Sequence, residues 1–458
     1  MSRADTRMLL GAGGPLLAGA CVAMLAVGNN STAIMAALPA MQSELALSHA
    51  AVQWAVNSYL LASACFIVLG GKAADRFGAA QSSAAGSALF GIGSLGLALA
   101  PDGAVVLAAR ALQGLAAALA VAGTLAAVGA GASERERARS IGAWSGFLML
   151  GFSVGPLVGG ALSHYAGWRA VFWLNVPAMA MAAALLLADR HGGGAPARQA
   201  ARTDWLGVVL LAVFMTALIF GLHALPDRAS APWAAIAPLV VAALALAGLL
   251  RFEARSKEPL LDLAFFARRN FTLAAGVQFV SMFNIMTLLL YYNLFAQSAQ
   301  GLAFSAIEAG LSLLPLSLAL FGVARAAPRL AARFGLARVM AAGMLLTALG
   351  CAVVGIAVAG AGKAMLALGL LVIGAGIALP YASGPRLGLA ALPADAAGQA
   401  SGILNSCSFL GGTVGVTAGG IALGIAGFPG VLAVIALSAL IGAGLCLGID
   451  RAEAALQP

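Results

Sequence analysis

GKAADRFG at Gly71–Gly78 and PRLAARFG at Pro328–Gly335 are two versions of one short segment, 257 residues apart. Both keep the order Arg-Phe-Gly, as Arg76, Phe77 and Gly78 and as Arg333, Phe334 and Gly335. Each follows a long apolar stretch and is followed at once by another. Two basic, small-residue loops can be alike by chance. Their matching positions within two series of apolar stretches point instead to a duplicated chain.

Around this pair the sequence is suited to hydrocarbon. Hydrophobic residues make up 62% and charged residues 9% of the 458 positions, against about half and about a quarter in a soluble domain. Fourteen apolar stretches approach the roughly 20 residues with which a helix crosses about 30 Å of lipid. They cover about 14–38, 51–71, 82–100, 104–128, 140–163, 168–188, 204–224, 232–250, 271–297, 303–324, 338–359, 363–384, 397–424 and 428–449. Helices follow because backbone groups in lipid must bond within their own segment, and the alternating pattern of barrel strands is missing.

Lys and Arg then set the orientation. Counting the gaps alternately from the N-terminus, 21 of the 25 fall on one side, including Lys72, Arg76, Arg135, Arg137, Arg139, Arg325, Arg329 and Arg333. Arg169, Arg228 and Lys363 fall on the other, and Arg110 lies inside a stretch. The positive-inside rule puts both termini in the cytoplasm, which requires an even number of crossings. The net charge of +9 is then explained by orientation and anionic headgroups, not by nucleic acid.

Other classes find little support. Arg3 and Arg7 ahead of Met8–Val27 resemble a signal peptide, but the run is long for one and its removal would leave an odd number of crossings. Cys21, Cys65, Cys351, Cys407 and Cys446 sit in apolar stretches without paired spacing and read as small buried hydrophobes, so neither disulfides nor a metal site is expected. No stretch holds paired carboxylates, a Ser/His/Asp set or a His cluster, and no loop is built to cradle phosphate. Catalytic residues and cofactors are therefore not expected. The expected partners are the lipid bilayer and a small organic substrate, with no obligate protein partner evident.

The duplication divides the chain into a six-helix bundle at 1–188, two additional helices with a central cytoplasmic loop at 189–270, and a second six-helix bundle at 271–458. Repeated halves are a common construction for secondary transporters. Five motifs occur in order over nearly the whole length. They are Gly71, Asp75, Arg76 and Gly78; Arg110, Gln113 and Gly114; Gly151, Gly155, Pro156, Gly159 and Gly160; Gly167, Trp168, Arg169, Phe172, Asn175 and Pro177; and Pro259, Leu260, Asp262, Leu263 and Phe266. With these motifs the chain resembles the fourteen-helix drug:proton antiporters of the major facilitator superfamily. The resemblance implies an all-α polytopic membrane protein, two six-helix bundles plus two inserted helices, in the inner membrane. It also implies export of small organic compounds by alternating access, coupled to protons.

The motifs have physical readings of their own. Asp75 can cap a helix or pair with Arg76, as an ordinary loop or as a cytoplasmic latch; the resemblance implies the latch. The second copy has Ala332 there, so any latch is one-sided. Gly151, Gly155 and Gly159 share one helix face and allow close helix approach, and Pro156 adds a kink. The resemblance makes this stretch part of an interface between halves that limits leak. Gly411, Gly415 and Gly419 form a similar stripe. Arg110 costs roughly 2.5–3.5 kcal/mol inside a span on insertion scales, so it is either functional or snorkels outward towards Asp102. The resemblance ties it to proton coupling.

One departure matters. Members of this group carry an acid in the first helix, where this chain has Asn30 before Ala37, Leu38 and Pro39; Ser408 also stands where an Arg is common. Asn cannot carry a proton. Glu308, at the outer end of the tenth stretch, is the remaining titrating candidate. The acceptor for Arg110 is then either a polar neighbour such as Asn30 or Gln113, or the substrate itself, which would favour an anionic or carbonyl-rich compound. Polar and aromatic candidates for a central pocket are Asn30, Gln53, Asn57, Tyr59, Gln113, Gln278, Asn284, Tyr291, Tyr292, Tyr381 and Asn405; each could also make a bond between helices. Trp54, Trp144, Trp168 and Trp233 suit interface belts. The alternative reading is a proton-independent facilitator, or an importer of an organic solute, anionic ones included.

Overall fold

The computed structural model describes residues 14–129, 134–188, 205–225, 232–256, 259, 261–392 and 397–449. Among them every regular element is helical. Twelve helical segments are long and apolar enough to cross a bilayer.

The helices gather into two compact units, one of Met1–Thr203 with Ser305–Gly310 and one of Asp204–Phe304 with Leu311–Pro458. The first contains α1 (Gly14–Glu44), α2 (His49–Phe77), α3 (Ala79–Ala98), α4 (Gly103–Gly129), α5 (Glu134–Ala166) and α6 (Arg169–Ala188). The second contains α7 (Trp205–His223), α8 (Pro232–Glu253), the short α9 (Leu263–Ala267) and α10 (Arg269–Gln297). After α11 (Ala306–Ser312), which straddles the division, come α12 (Leu314–Phe334), α13 (Leu336–Ile356), α14 (Lys363–Ala390) and α15 (Ala397–Leu447).

The duplication is visible in the packing. In the first unit α1 packs on α5 and α6, α2 on α4, and α3 on α4 and α6. In the second, α10 packs on α15, α12 on α14, and α13 on α14 and α15. The two Arg-Phe-Gly loops also share one geometry. Gly78 has φ 92 and ψ 140, and Gly335 has φ 89 and ψ 140, a backbone region that glycine enters without penalty. Arg76 lies over the Phe77 ring at 5.3 Å and Arg333 over Phe334 at 5.1 Å. The α7–α8 pair packs mainly on itself and carries a large exposed apolar surface, including Leu206, Val209, Val240 and Leu244.

Two helices need a closer account. α3 is not among the twelve spans, because Gln81 and four serines lower its hydropathy. Three of the serines hide their polarity by donating one turn back: Ser83 to Ala79 O (2.6 Å), Ser87 to Ser83 O (2.9 Å) and Ser94 to Phe90 O (2.8 Å). At 20 residues it still measures about 30 Å. α15 runs for 51 residues but leaves helical geometry at Ala426 and Gly427. Gly415 packs on the Phe283 carbonyl, while Ser438 donates to the Asn284 amide. Two positions on either side of Gly427 thus reach the same level of α10, so the chain reverses there into an antiparallel hairpin.

Two of the four tryptophans read as belt residues are buried against neighbouring helices. Trp144 is buried and donates to Thr124 Oγ1 (2.9 Å), and Trp168 is buried and donates to Glu44 Oε2 (2.7 Å). Each indole N–H is held by an acceptor from another helix. Trp233 is exposed.

Candidate functional site

The first unit has a polar centre assembled from five of its helices. α4 brings Arg110, which is 0% exposed. Its Nε donates to the Ala55 carbonyl of α2 at 2.7 Å, and its Nη1 to Gln113 Oε1, one turn further along α4, at 2.8 Å. The guanidinium lies over the Tyr59 ring of α2 at 4.3 Å, a cation–π contact that strengthens away from water. Gln113 passes the chain on, donating from Nε2 to Ser94 Oγ of α3 at 2.8 Å. Its amide also lies 3.4–3.5 Å from that of Asn30 on α1, and Asn175 of α6 donates to Asn30 Oδ1 at 2.9 Å. Ser31, beside Asn30, donates to the Tyr59 hydroxyl at 3.2 Å. Snorkelling does not describe Arg110, whose charge is enclosed by neutral dipoles.

This arrangement explains why two motifs distant in sequence occur together. Arg110 and Gln113 are spaced to lie on one face of α4, and Asn175 comes from the motif that begins at Gly167. The same motif closes one end of the unit. Arg169 pairs with Glu44, lies over Trp168 at 4.2 Å and donates from Nη2 to the Ala100 carbonyl at 3.1 Å. The ends of α1 and α3 and the start of α6 are thereby joined.

A second feature sits along α1 and α5. Pro156 has no N–H to give, which leaves the carbonyl of Phe152, four residues back, without its helical donor. Thr32 of α1 supplies the missing bond, with Oγ1 3.1 Å from Phe152 O. Gly155 makes the room: a Cβ there would lie 1.9 Å from Thr32 Oγ1, and one on Gly159 would lie 2.3 Å from the Ala33 carbonyl. A Cβ on Gly160 would lie 2.4 Å from the carbonyl of Ala306, in the segment that clusters with this unit. Thr32 carried no signal in the sequence, because its role depends on the register between two helices.

Glu308 begins α11 and closes a capping box. Its Oε2 accepts from Ser305 N (2.8 Å) and Ser305 Oγ (2.9 Å), and its own N–H donates to Ser305 Oγ at 3.4 Å. This is the reciprocal bonding of a helix start, at an exposed position. Gly71 has open space where a Cβ would stand. The side chain of Asp75 lies outside the described residues.

The remaining pocket candidates divide between the two units. Asn57 is buried in the first unit. In the second, Asn284 accepts from Ser438 and Tyr291 donates to the Val416 carbonyl, both towards α15. Tyr292 pairs with Ser312 at 2.6 Å, and Asn405 donates one turn back to Ser401 O at 2.9 Å. Gln278 is buried against Gly384 of α14. Tyr381 is half-buried. The glycine stripe of α15 meets α10, with Gly411 on Phe279, Gly415 on Phe283 and Gly419 on the Tyr291 ring.

Duplicated helix packing and many apolar spans define a polytopic membrane protein, with a buried guanidinium enclosed by neutral groups at the centre of its first unit. A sequence profile described as Major Facilitator Superfamily matches residues 16–416. The chain belongs to this superfamily. It is 32% identical over 412 residues to the "Tetracenomycin C resistance and export protein" of Streptomyces glaucescens, covering 89% of this chain and 75% of that one. It is 32% identical over 323 residues to the "Methylenomycin A resistance protein" of Bacillus subtilis, covering 69% and 67%. Among solved structures, a POT family transporter in complex with a thioalcohol-conjugated peptide superposes with TM-score 0.70 at 15% identity, over 95% of both chains. This likeness speaks for the fold alone.

Proposed function

We propose that this chain exports small organic compounds of the antibiotic or drug type across the cytoplasmic membrane by alternating access. The similarity to a resistance and export protein over 89% of the chain carries this reading. Fourteen crossings with both termini in the cytoplasm are part of it. The twelve apolar spans, the serine-rich α3 and the hairpin within α15 support that number, and the one-sided Lys and Arg support the orientation.

The motif resemblance supports proton antiport as the driving reaction. A specific observation favours the second reading, transport without protons: every described partner of Arg110 is a neutral group. Asp75, Arg76 and Gly78 would form the cytoplasmic gate, and the Gly151–Gly160 face the surface that limits leak. Reconstitution tests the proposal. Proteoliposomes loaded with a panel of fluorescent dyes and antibiotics should release at least one of them faster than protein-free vesicles. Release indistinguishable from empty vesicles across the panel would sink the export reading.

A further inference from the structure

The motif between Pro259 and Phe266 belongs to the second unit and takes no part in the centre of the first. It follows α8, whose last residue, Glu253, is 3% exposed and is, apart from Arg110, the one buried charged side chain among the described residues. A carboxylate is kept in such a place only where donors meet it, and Glu253 Oε2 accepts from the Leu261 amide at 3.2 Å. From another side Gln399, at the start of α15, donates from Nε2 to the Pro259 carbonyl at 2.8 Å. Asp262 then caps α9, accepting from Ala264 N at 2.9 Å. That single turn of helix directs Phe265 inward. Its ring meets Phe271 edge-on at 5.6 Å, within a buried cluster that includes Met340 of α13, Leu387 of α14, and Ile403 and Cys446 from the two arms of α15. All five lie near one end of their helices. Thr272 Oγ1 closes the segment by donating to the Phe266 carbonyl at 2.7 Å. Leu260 of the motif lies outside the described residues.

These bonds matter because α8 has little else to hold it. It packs mainly on α7, which touches α15 only lightly. The segment from Glu253 to Thr272 therefore joins the inserted pair to the ends of α10, α13, α14 and α15, by polar pins on either side of one aromatic wedge. We propose that this segment is a clamp that stays docked throughout the transport cycle, so that the inserted pair and the second bundle move in one piece, with Glu253 and Gln399 as its positioning residues. Secondary transporters alternate access largely by rocking one bundle against the other, and a bundle whose helix ends slip past each other loses part of that motion internally. A lid would behave in the opposite way, undocking once in every cycle. The inference rests on the export reading and adds a mechanical part to it.

Two measurements test it, both on the full chain with its five cysteines replaced. In proteoliposomes, efflux of rhodamine 6G, ethidium and Nile red is followed with Pro259→Cys and Gln399→Cys joined by a short bifunctional thiosulfonate. The joined protein should move every probe that the parent moves, at a rate within about twofold. Glu253→Ala should lower the maximal rate at least about fivefold while the half-saturating probe concentration stays unchanged. Joining the two cysteines in that variant should recover most of the loss, which a chain that had merely misfolded would not do. A link that stops efflux until it is cleaved, or that fails to rescue Glu253→Ala, overturns the clamp and leaves export intact. In detergent, where no transport is involved, Phe265→Cys should react slowly with N-ethylmaleimide, and at least about tenfold faster once Glu253→Ala is added. Equal labelling rates remove the clamp alone. No movement of any probe by the parent removes the export reading, and with it the cycle that the clamp would serve.

Discussion

Pro156 withholds a donor and Thr32 replaces it, so two residues from different helices act as one unit. Thr32→Val keeps the shape and removes the hydroxyl. It should destabilise the protein by about 0.5–2 kcal/mol, the range of interhelical hydrogen bonds in membranes, whereas Thr32→Ser should stay near the parent in thermal unfolding. Gly155→Ala places a methyl group within 1.9 Å of Thr32 Oγ1 and should match or exceed that loss. The two changes together should cost less than their sum, because both break the same contact. A fully additive double variant would mean that Gly155 serves some other neighbour. Gly155 and Pro156 were legible in the sequence as members of a motif. Their partner was not, since nothing in α1 marks Thr32 as facing α5. Arg110 and Gln113 were likewise legible by type and spacing. Their contacts with Ala55, Ser94 and Asn30, and the bond from Asn175 to Asn30, appear only once five helices are assembled.

Among the helices and their connections, the two turned glycines are the clearest test of duplication. Gly78→Ala and Gly335→Ala each force a side chain into a positive-φ conformation; Gly335→Ala, whose added Cβ meets open space, should cost about 1–2 kcal/mol, and Gly78→Ala the same or more, because its Cβ would lie 2.3 Å from Gln81 Oε1, as read by the shift in unfolding temperature. Gly71→Ala meets open space and should stay within about 0.5 kcal/mol, so any effect of that substitution on transport belongs to gating and not to folding. A smaller loss at Gly78 than at Gly335 would argue against a shared backbone constraint in the two loops. Helix positions were readable because apolar length alone nearly determines them. The hairpin within α15 was expected as two stretches, 397–424 and 428–449, and Gly427 supplies the reversal. The second-unit pocket candidates were chosen for polarity inside apolar spans, but polarity does not say which way a side chain turns. Asn284 and Tyr291 face α15, so Asn284→Leu with Ser438→Ala should retain transport while altering stability by about 0.6–1.7 kcal/mol. Loss of transport at normal stability would return Asn284 to the substrate path.

For the molecule as a whole, orientation is the property that the sequence argues and a labelling experiment decides. In a background with the five cysteines replaced, Arg76→Cys and Arg333→Cys should react with an impermeant maleimide only after the cells are opened. Asp102→Cys and Lys363→Cys should react on intact cells. All four positions are exposed, so accessibility reports the face and not burial. Reaction of Arg76 and Asp102 from the same face would remove α3 as a crossing. The superfamily was within reach of the sequence because its motifs fall at helix ends and on packing faces, where backbone geometry restricts the residues that fit. The substrate was not, because recognition inside a bilayer depends on a few side chains whose directions the linear order does not encode.

The neighbours of Arg110 also bear on how the chain is made. The ribosome delivers α1, α2 and α3 before α4, so Asn30, the Ala55 carbonyl and Ser94 are already present when the guanidinium leaves the insertion machinery, and only Asn175 arrives later. A permuted gene that begins at Gly103 would release α4 with no earlier segment to shelter its charge, and that helix should stall or slip outward during synthesis.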